Sequence, residues 1–418
     1  MPSRRRFAAN PFAAGSVAEL TGDELWTHVA GLLPQLEQCA SHGRVLESTG
    51  RLSRNYTVYT GLGGIALTYF RVGLHCQQVR GDAAQAGHHL RKARDVAAAC
   101  LGGDPRSDTV SFFCGTPGYL AISCVCSKLL ADAHAASSHL SALLQWAPLA
   151  AEHREDELLF GRAGYLYALL WVRKFCGEQQ REINAALQRV AESLVATGRS
   201  KAQRTYTEWV LMWECFDEPY MGAAHGLVGN LAMLFHCYEL LAPESQQLVS
   251  ATLDQLLGNR FTSGNVPIIL GESRDEHVHW CHGAPGLPAL MAVAAGKLGD
   301  SAGKLRAAAA KAGDVVWERG VILKGNGLCH GIAGNGYTFL SLYRQTGERL
   351  YLQKAHAFAR LLQHAPLQQL IAEQPDPQRR VKGTPDSPCS LMEGSAGVIC
   401  YLLDLSAPGA SAFPAWEI

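Results

Sequence analysis

Residues 328–346, LCHGIAGNGYTFLSLYRQT, contain a Gly-x-x-Gly step, Gly331 to Gly334, that opens a run apolar on nearly every side. The same step recurs seven times, with first glycines Gly61, Gly115, Gly161, Gly226, Gly283, Gly331 and Gly394. The intervals are 54, 46, 65, 57, 48 and 63 residues. Spacing this even marks one structural unit used repeatedly. The runs that follow include GIALTYF, GYLYALLWVRKF, GNLAMLFHCYELL and GVICYLLDL. They are apolar nearly all round, as buried helices are. Between them lie more amphipathic stretches, such as INAALQRVAESLV and YLQKAHAFARLLQH. Apolar residues there recur at steps of three and four, which buries one face and wets the other. Alternating β-branched runs and Asn-Gly hairpin signals are nearly absent.

This pattern predicts an all-α fold of seven helical hairpins closed into a double-layered (α/α)7 toroid. Apolar helices form the inner wall and amphipathic helices the outer wall. An open solenoid would need polar capping repeats at both ends, yet the first and last repeats are as apolar as the others. The division expected is a basic N-terminal arm over residues 1–16 and a single toroid over 17–418. Inner-helix N-termini should converge on one mouth of the ring, where their dipole ends favour anions and thiolates. The stretch from about 364 to 388, containing QQLIAEQPDPQRRVKGTPDSP, reads as a long loop before the last inner helix.

Lys+Arg and Asp+Glu each total 37, which argues against a nucleic-acid partner. No apolar run reaches membrane-spanning length, and no apolar leader core follows the basic start. Thirteen cysteines, scattered through apolar segments, fit reduced thiols in the cytosol. Arg4, Arg5 and Arg6 read as a solvated charge run, with peripheral contact to anionic lipid at the plasma membrane left open.

Aligned on the first glycine, repeats four, five and six place His225, His282 and His330 at one equivalent position. The residues before them are Ala224, Cys281 and Cys329. Zinc accepts thiolate and neutral imidazole, and a catalytic zinc keeps one of four positions open. Cys281, Cys329 and one histidine would make such a site; spacing alone leaves His282 and His330 as alternatives. His277 and His279 are candidates to orient a ligand imidazole. Two thiolates nearly cancel the metal charge, which suits holding a further thiol as a nucleophile. His225 has no cysteine beside it and is free to carry a proton. Lys324, with Arg379, Arg380 and Lys382, is placed to meet carboxylates.

The segments MGAAHGLVG, VHWCHGAPG, LKGNGLCHGIAGNGY, TPDSPCSLMEGSAG and RRFAANPFAAG resemble the eukaryotic lanthionine-synthetase-C-like proteins, from near residue 5 to the terminal FPAWEI. The resemblance implies a seven-fold α/α toroid with one zinc at its mouth, held by Cys281, Cys329 and His330. It implies glutathione as co-substrate, added to dehydroalanine or dehydrobutyrine in proteins or peptides, with His225 as the general acid. It places glutathione against Arg5, Lys324 and the Gly383-Thr384-Pro385-Asp386 segment. Glu157 and Arg162, in DELLFGRAGY, match a family block without an assigned role. Close relatives carry an arginine where this chain has Gly383, and Lys382 or Arg380 stands nearby. The loop before it is longer, and one extra residue lies between Phe7 and Asn10-Pro11, which leaves Arg4 and Arg6 as alternatives to Arg5.

The reading is therefore a zinc-dependent glutathione transferase. The alternative is a zinc- and glutathione-binding adaptor or redox sensor, with protein partners on the outer helices. A toroidal glycosidase would need paired inward carboxylates, and the repeat register provides none.

Overall fold

The computed structural model describes residues 6–15, 17–103, 108–177, 180–299, 302–373, 385 and 387–418. Seven inner helices follow the seven glycine steps: Leu62–Gln78, Thr116–Leu129, Arg162–Phe175, Leu227–His236, Leu287–Leu298, Ile332–Thr346 and Ser395–Ser406. Each packs against the next, and the seventh packs back on the first. The chain is thus an all-α toroid. Outer helices Ala83–Gly103, Ala133–Leu144, Gln180–Thr205, Pro243–Gly258, Ala302–Arg319 and Arg349–Leu361 each follow an inner helix and cover it. The N-terminal helix Gly22–His42, closed by a Thr21–Glu24 capping box, supplies the seventh cover by packing on the last inner helix. No described helix is long and apolar enough to cross a membrane.

Polar contacts reinforce the seam. His75 Nδ1 lies 3.2 Å from Ser406 Oγ, and Trp26 stacks on the His75 ring. Arg71 pairs with Asp404, which also accepts from Tyr337 Oη at 2.8 Å. The inner helices are apolar nearly all round because almost every face of them is buried. The C-terminal segment enters between them and buries Phe413 and Trp416. Both pack on Trp280, with ring centroids 5.0 and 6.0 Å away. Arg344 anchors this tail by donating to Ser411 Oγ at 2.8 Å and pairing with Glu417.

The glycine steps have a steric cause. The loop before each inner helix folds back on its first turn. In six repeats, a Cβ on the first glycine would lie 1.9–2.4 Å from the carbonyl oxygen six residues earlier. The second glycine meets the equivalent carbonyl at 1.8–2.5 Å in six repeats. No side chain fits there. Gly283 has a further reason: its φ of 122° is strained for any other residue. The fifth repeat accordingly starts with a 3-10 turn, Ala284–Gly286, before its helix.

The same fold-back corrects one expectation. The N–H groups of Leu62, Arg162, Leu227, Ile332 and Ser395 donate to the carbonyls of Asn55, Glu155, Tyr220, Gly325 and Pro388 at 2.9–3.2 Å. Those helix N-termini are capped by their own loops rather than open to an anion. A second correction concerns the stretch after residue 364. Part of it is a helix, Ala365–Glu373, that buries Leu367 and Ile371 one turn apart. It is fastened where Asn326 Nδ2 donates to Gln368 Oε1 at 2.8 Å. A two-residue hairpin, Val45–Leu46 with Leu52–Ser53, is an added minor strand element.

Candidate functional site

The residues two before each first glycine are Tyr59, Phe113, Leu159, Ala224, Cys281, Cys329 and Met392. Their backbones form a belt around the mouth. Ala224 donates to Cys281, Cys281 to Cys329, Cys329 to Met392, Met392 to Tyr59 and Tyr59 to Phe113, at 2.8–3.5 Å. This belt brings sulfurs from two repeats together. The residues one before each glycine are Thr60, Cys114, Phe160, His225, His282, His330 and Glu393, and every one is half-buried. They line the accessible floor of the mouth.

Cys281 Sγ, Cys329 Sγ and a His330 ring nitrogen lie within 4.8 Å of one another. Burial and the neighbouring Cys281 sulfur push the Cys329 thiol well above its ordinary range, while His330 pulls it down. A bare thiolate there is therefore costly, and a divalent cation would offset that cost. Ligands around one tetrahedral zinc stand roughly 3.7 Å apart given metal–ligand bonds near 2.0–2.3 Å. The donor set and its compactness fit zinc. Tyr59 Oη donates to Cys329 Sγ at 2.8 Å. Burial and the two sulfurs hold the Tyr59 phenol far above its usual range, so it remains a donor.

His282 falls outside that group. Its ring lies against Tyr220 and His225, with centroids 5.4 and 6.1 Å away. Burial and nearby His225 lower its pKa to about 3, so it stays neutral. His279 lies behind His330, at 6.2 Å between ring centroids, and His277 lies 5.5 Å from His279. Burial holds His279 neutral, and the Lys324 charge acts in the same direction.

His225 is fixed from below. Its Nδ1 lies 3.0 Å from Glu157 Oε2. The Glu157 carboxylate accepts the N–H groups of Leu159 and Phe160 at 2.9 and 2.6 Å. A carboxylate so held selects the tautomer with its proton on Nδ1, which leaves the lone pair on Nε2. Nε2 has no protein partner among the described residues. Cys215 Sγ is 3.8 Å from the same Nδ1. Glu157, Cys215 and His225 make a second compact group, but burial and the Glu157 charge raise the Cys215 thiol to about 12. It reads as a hydrogen-bonded support for the histidine. Arg162 has a structural part: it pairs with Asp156 at 2.5 Å and donates twice to the Ala151 carbonyl. That pins the loop carrying Glu157.

Lys324 is half-buried, and its charge opposes protonation of His277, His279 and His282. The arm runs alongside it. Leu323 N donates to the Arg6 carbonyl at 3.0 Å, and Ala8 N donates to Val321. Arg6 meets His277 and pairs with Glu276 at 3.4 Å. Pro385 lines a cavity of about 390 Å³ with Gly325, Asn326 and Pro388. Arg5, Gly383, Thr384 and Asp386 lie outside the described residues, as do Arg4, Arg379, Arg380 and Lys382.

Sequence reading missed Tyr59, Cys215 and the partnership of Glu157 with His225. A signal for Tyr59 existed, since it occupies the register position of the two cysteines. Cys215 and Glu157 carry no such mark.

Residues 53–418 match the family model described as lanthionine synthetase C-like protein. A zebrafish (Danio rerio) protein named glutathione S-transferase LANCL1 is 36% identical over 87% of this chain and 86% of its own length. The LanC-like protein GCL1 of Arabidopsis thaliana is 32% identical over 87% of this chain and 81% of its own. Among solved structures, a nisin cyclase has the same fold, with a TM-score of 0.62 at 14% identity over 92% of this chain and 94% of its own. With its seven-fold ring and the belt that gathers its cysteines, this chain belongs to the lanthionine synthetase C-like family.

Proposed function

We propose that this protein is a glutathione transferase that adds the glutathione thiol to dehydroalanine or dehydrobutyrine residues of proteins or peptides. The observation that carries the reading is the pairing at the mouth. His225, fixed by Glu157 through Nδ1, lies one repeat from a compact group of two sulfurs and an imidazole. The zebrafish relative's name points the same way. All thirteen cysteines are free, which fits a reducing compartment stocked with glutathione.

Cys281, Cys329 and His330 would hold zinc. Bound there, zinc would supply the positive charge that keeps an added thiol as thiolate at neutral pH. The sulfur of glutathione forms a bond to the β-carbon of the alkene. The π electron pair moves to the α-carbon, and His225 Nε2 delivers a proton there. The proton released by the thiol restores the histidine, so the addition expels nothing. Lys324 would meet a glutathione carboxylate, with Pro385 and the Arg5, Gly383, Thr384 and Asp386 positions completing that side.

The test combines glutathione with a dehydrobutyrine-containing peptide and looks for the thioether adduct by mass spectrometry. His225→Ala should keep its zinc and lose turnover, whereas Cys329→Ala should lose both. Full zinc and full activity in both variants would end this reading. Glutathione binding without any adduct in the wild type would favour the adaptor instead.

A further inference from the structure

One feature beside His225 belongs to none of these roles. Cys215 and Glu218 exchange backbone hydrogen bonds at 3.0 and 3.1 Å, which makes Phe216-Asp217 a two-residue hairpin turn. Both residues have positive φ, 53° and 60°. Such turns normally take Asn-Gly, and a bulky residue there is strained. The side chain held in this conformation is also 68% exposed, the most exposed of the large apolar residues described. Strain and exposure together cost stability, and neither helps the core. What they achieve is placement. The Phe216 ring stands 5.8 Å from the His225 ring and 6.1 Å from Phe160, itself a residue of the mouth floor. Tyr220 flanks His225 at 5.8 Å. The three aromatics make a shelf leading outward from His225.

The shelf continues into a groove of about 640 Å³ lined by Arg154, Thr197, Lys201, Arg204, Glu214 and Phe216. Its charges are largely matched: Arg154, Lys201 and Arg204 share the lining with Glu155, Asp156, Glu214 and Asp217, and Lys201 pairs with Glu214 at 2.5 Å. A polar, neutralised groove suits peptide backbone better than a phosphate-rich ligand. In ring order it lies on the third and fourth repeats. Lys324 and the N-terminal arm stand at the sixth.

Resting on the reaction proposed above, the geometry points to this shelf and groove as the docking site of the acceptor polypeptide. An extended stretch runs along the groove, and an apolar side chain next to the dehydroamino acid covers Phe216. The exposed ring is then buried only when the alkene is beside His225, which makes Phe216 a specificity-determining residue.

The test compares two acceptors with glutathione. One is N-acetyl-dehydrobutyrine methylamide, too short to reach the groove. The other is a ten-residue peptide with leucine beside its dehydrobutyrine. Phe216→Gly removes the ring and relieves the left-handed strain, so its thermal midpoint should not fall. The expected result is a KM for the peptide raised about tenfold or more, with kcat little changed, and unaltered kinetics for the small acceptor. Phe216→Tyr should restore the peptide KM. Equal loss for both acceptors, or wild-type peptide kinetics in Phe216→Gly, would overturn the docking site while leaving the reaction standing. No adduct from either acceptor with wild-type protein would instead overturn the reaction, and this inference with it.

Discussion

Tyr59 and Cys329 lie 270 residues apart in sequence, yet a phenol proton joins them at 2.8 Å. A hydrogen bond to a ligand sulfur withdraws electron density and fixes its orientation, and losing such a partner commonly weakens metal binding 10- to 100-fold. Tyr59→Phe should therefore bind zinc roughly tenfold more weakly in competition with a chromophoric chelator. Unchanged affinity would assign Tyr59 to packing alone. The Cys-His-Gly triplets were legible because equivalent positions of neighbouring repeats must meet at the mouth. Glu157 was recognisable only by resemblance, since its role depends on a contact between loops that no spacing encodes.

Elements close this ring through individual residues, and two of them give measurable consequences. Burial, with Arg80 nearby, lowers the His75 pKa from 6.5 to about 4, where it bonds Ser406 across the seam between first and last inner helices. Its folded pKa lies below its unfolded one. The stability it contributes is thus complete above pH 6.5 and lost as pH falls through about 4. Urea midpoints should drop across that window, by the equivalent of ~2–3 kcal/mol, and His75→Gln should flatten the slope. The glycine steps give the other test. A Cβ at Gly334 would lie 1.8 Å from the Leu328 carbonyl, one residue before Cys329. Gly334→Ala should cost at least about 1–3 kcal/mol and reduce zinc retention. Gly296, exposed within its helix with nothing within 4 Å of a Cβ, should instead gain ~0.5–1 kcal/mol on replacement by alanine. Equal melting shifts for both would contradict the fold-back explanation. The repeats themselves were plain in the sequence. The helix Ala365–Glu373 was not, because Pro, Gln and charge around it masked its single buried pair, Leu367 and Ile371.

At the scale of the whole molecule, the tail and the N-terminal helix turn a row of hairpins into a closed body. Trp416, 2% exposed, fills the ring beneath Trp280, the residue before Cys281. Trp416→Ala should cost about 3–5 kcal/mol in chemical denaturation; a change near zero would mean the lumen collapses around the loss. The sequence gives FPAWEI no repeat register, so its role as a plug follows only from the assembled ring. Closure is also what makes the site. The backbone belt runs unbroken from Ala224 through Cys281, Cys329, Met392 and Tyr59 to Phe113, and the two sulfurs meet because it does. The most direct measurement is zinc bound per chain in the wild type and in Cys281→Ala, Cys329→Ala, His330→Ala and His225→Ala. About one zinc is expected in the wild type and in His225→Ala, by the chemistry of a three-ligand site, with loss in the other three. A wild type without zinc, or full zinc after removal of either cysteine, would contradict it.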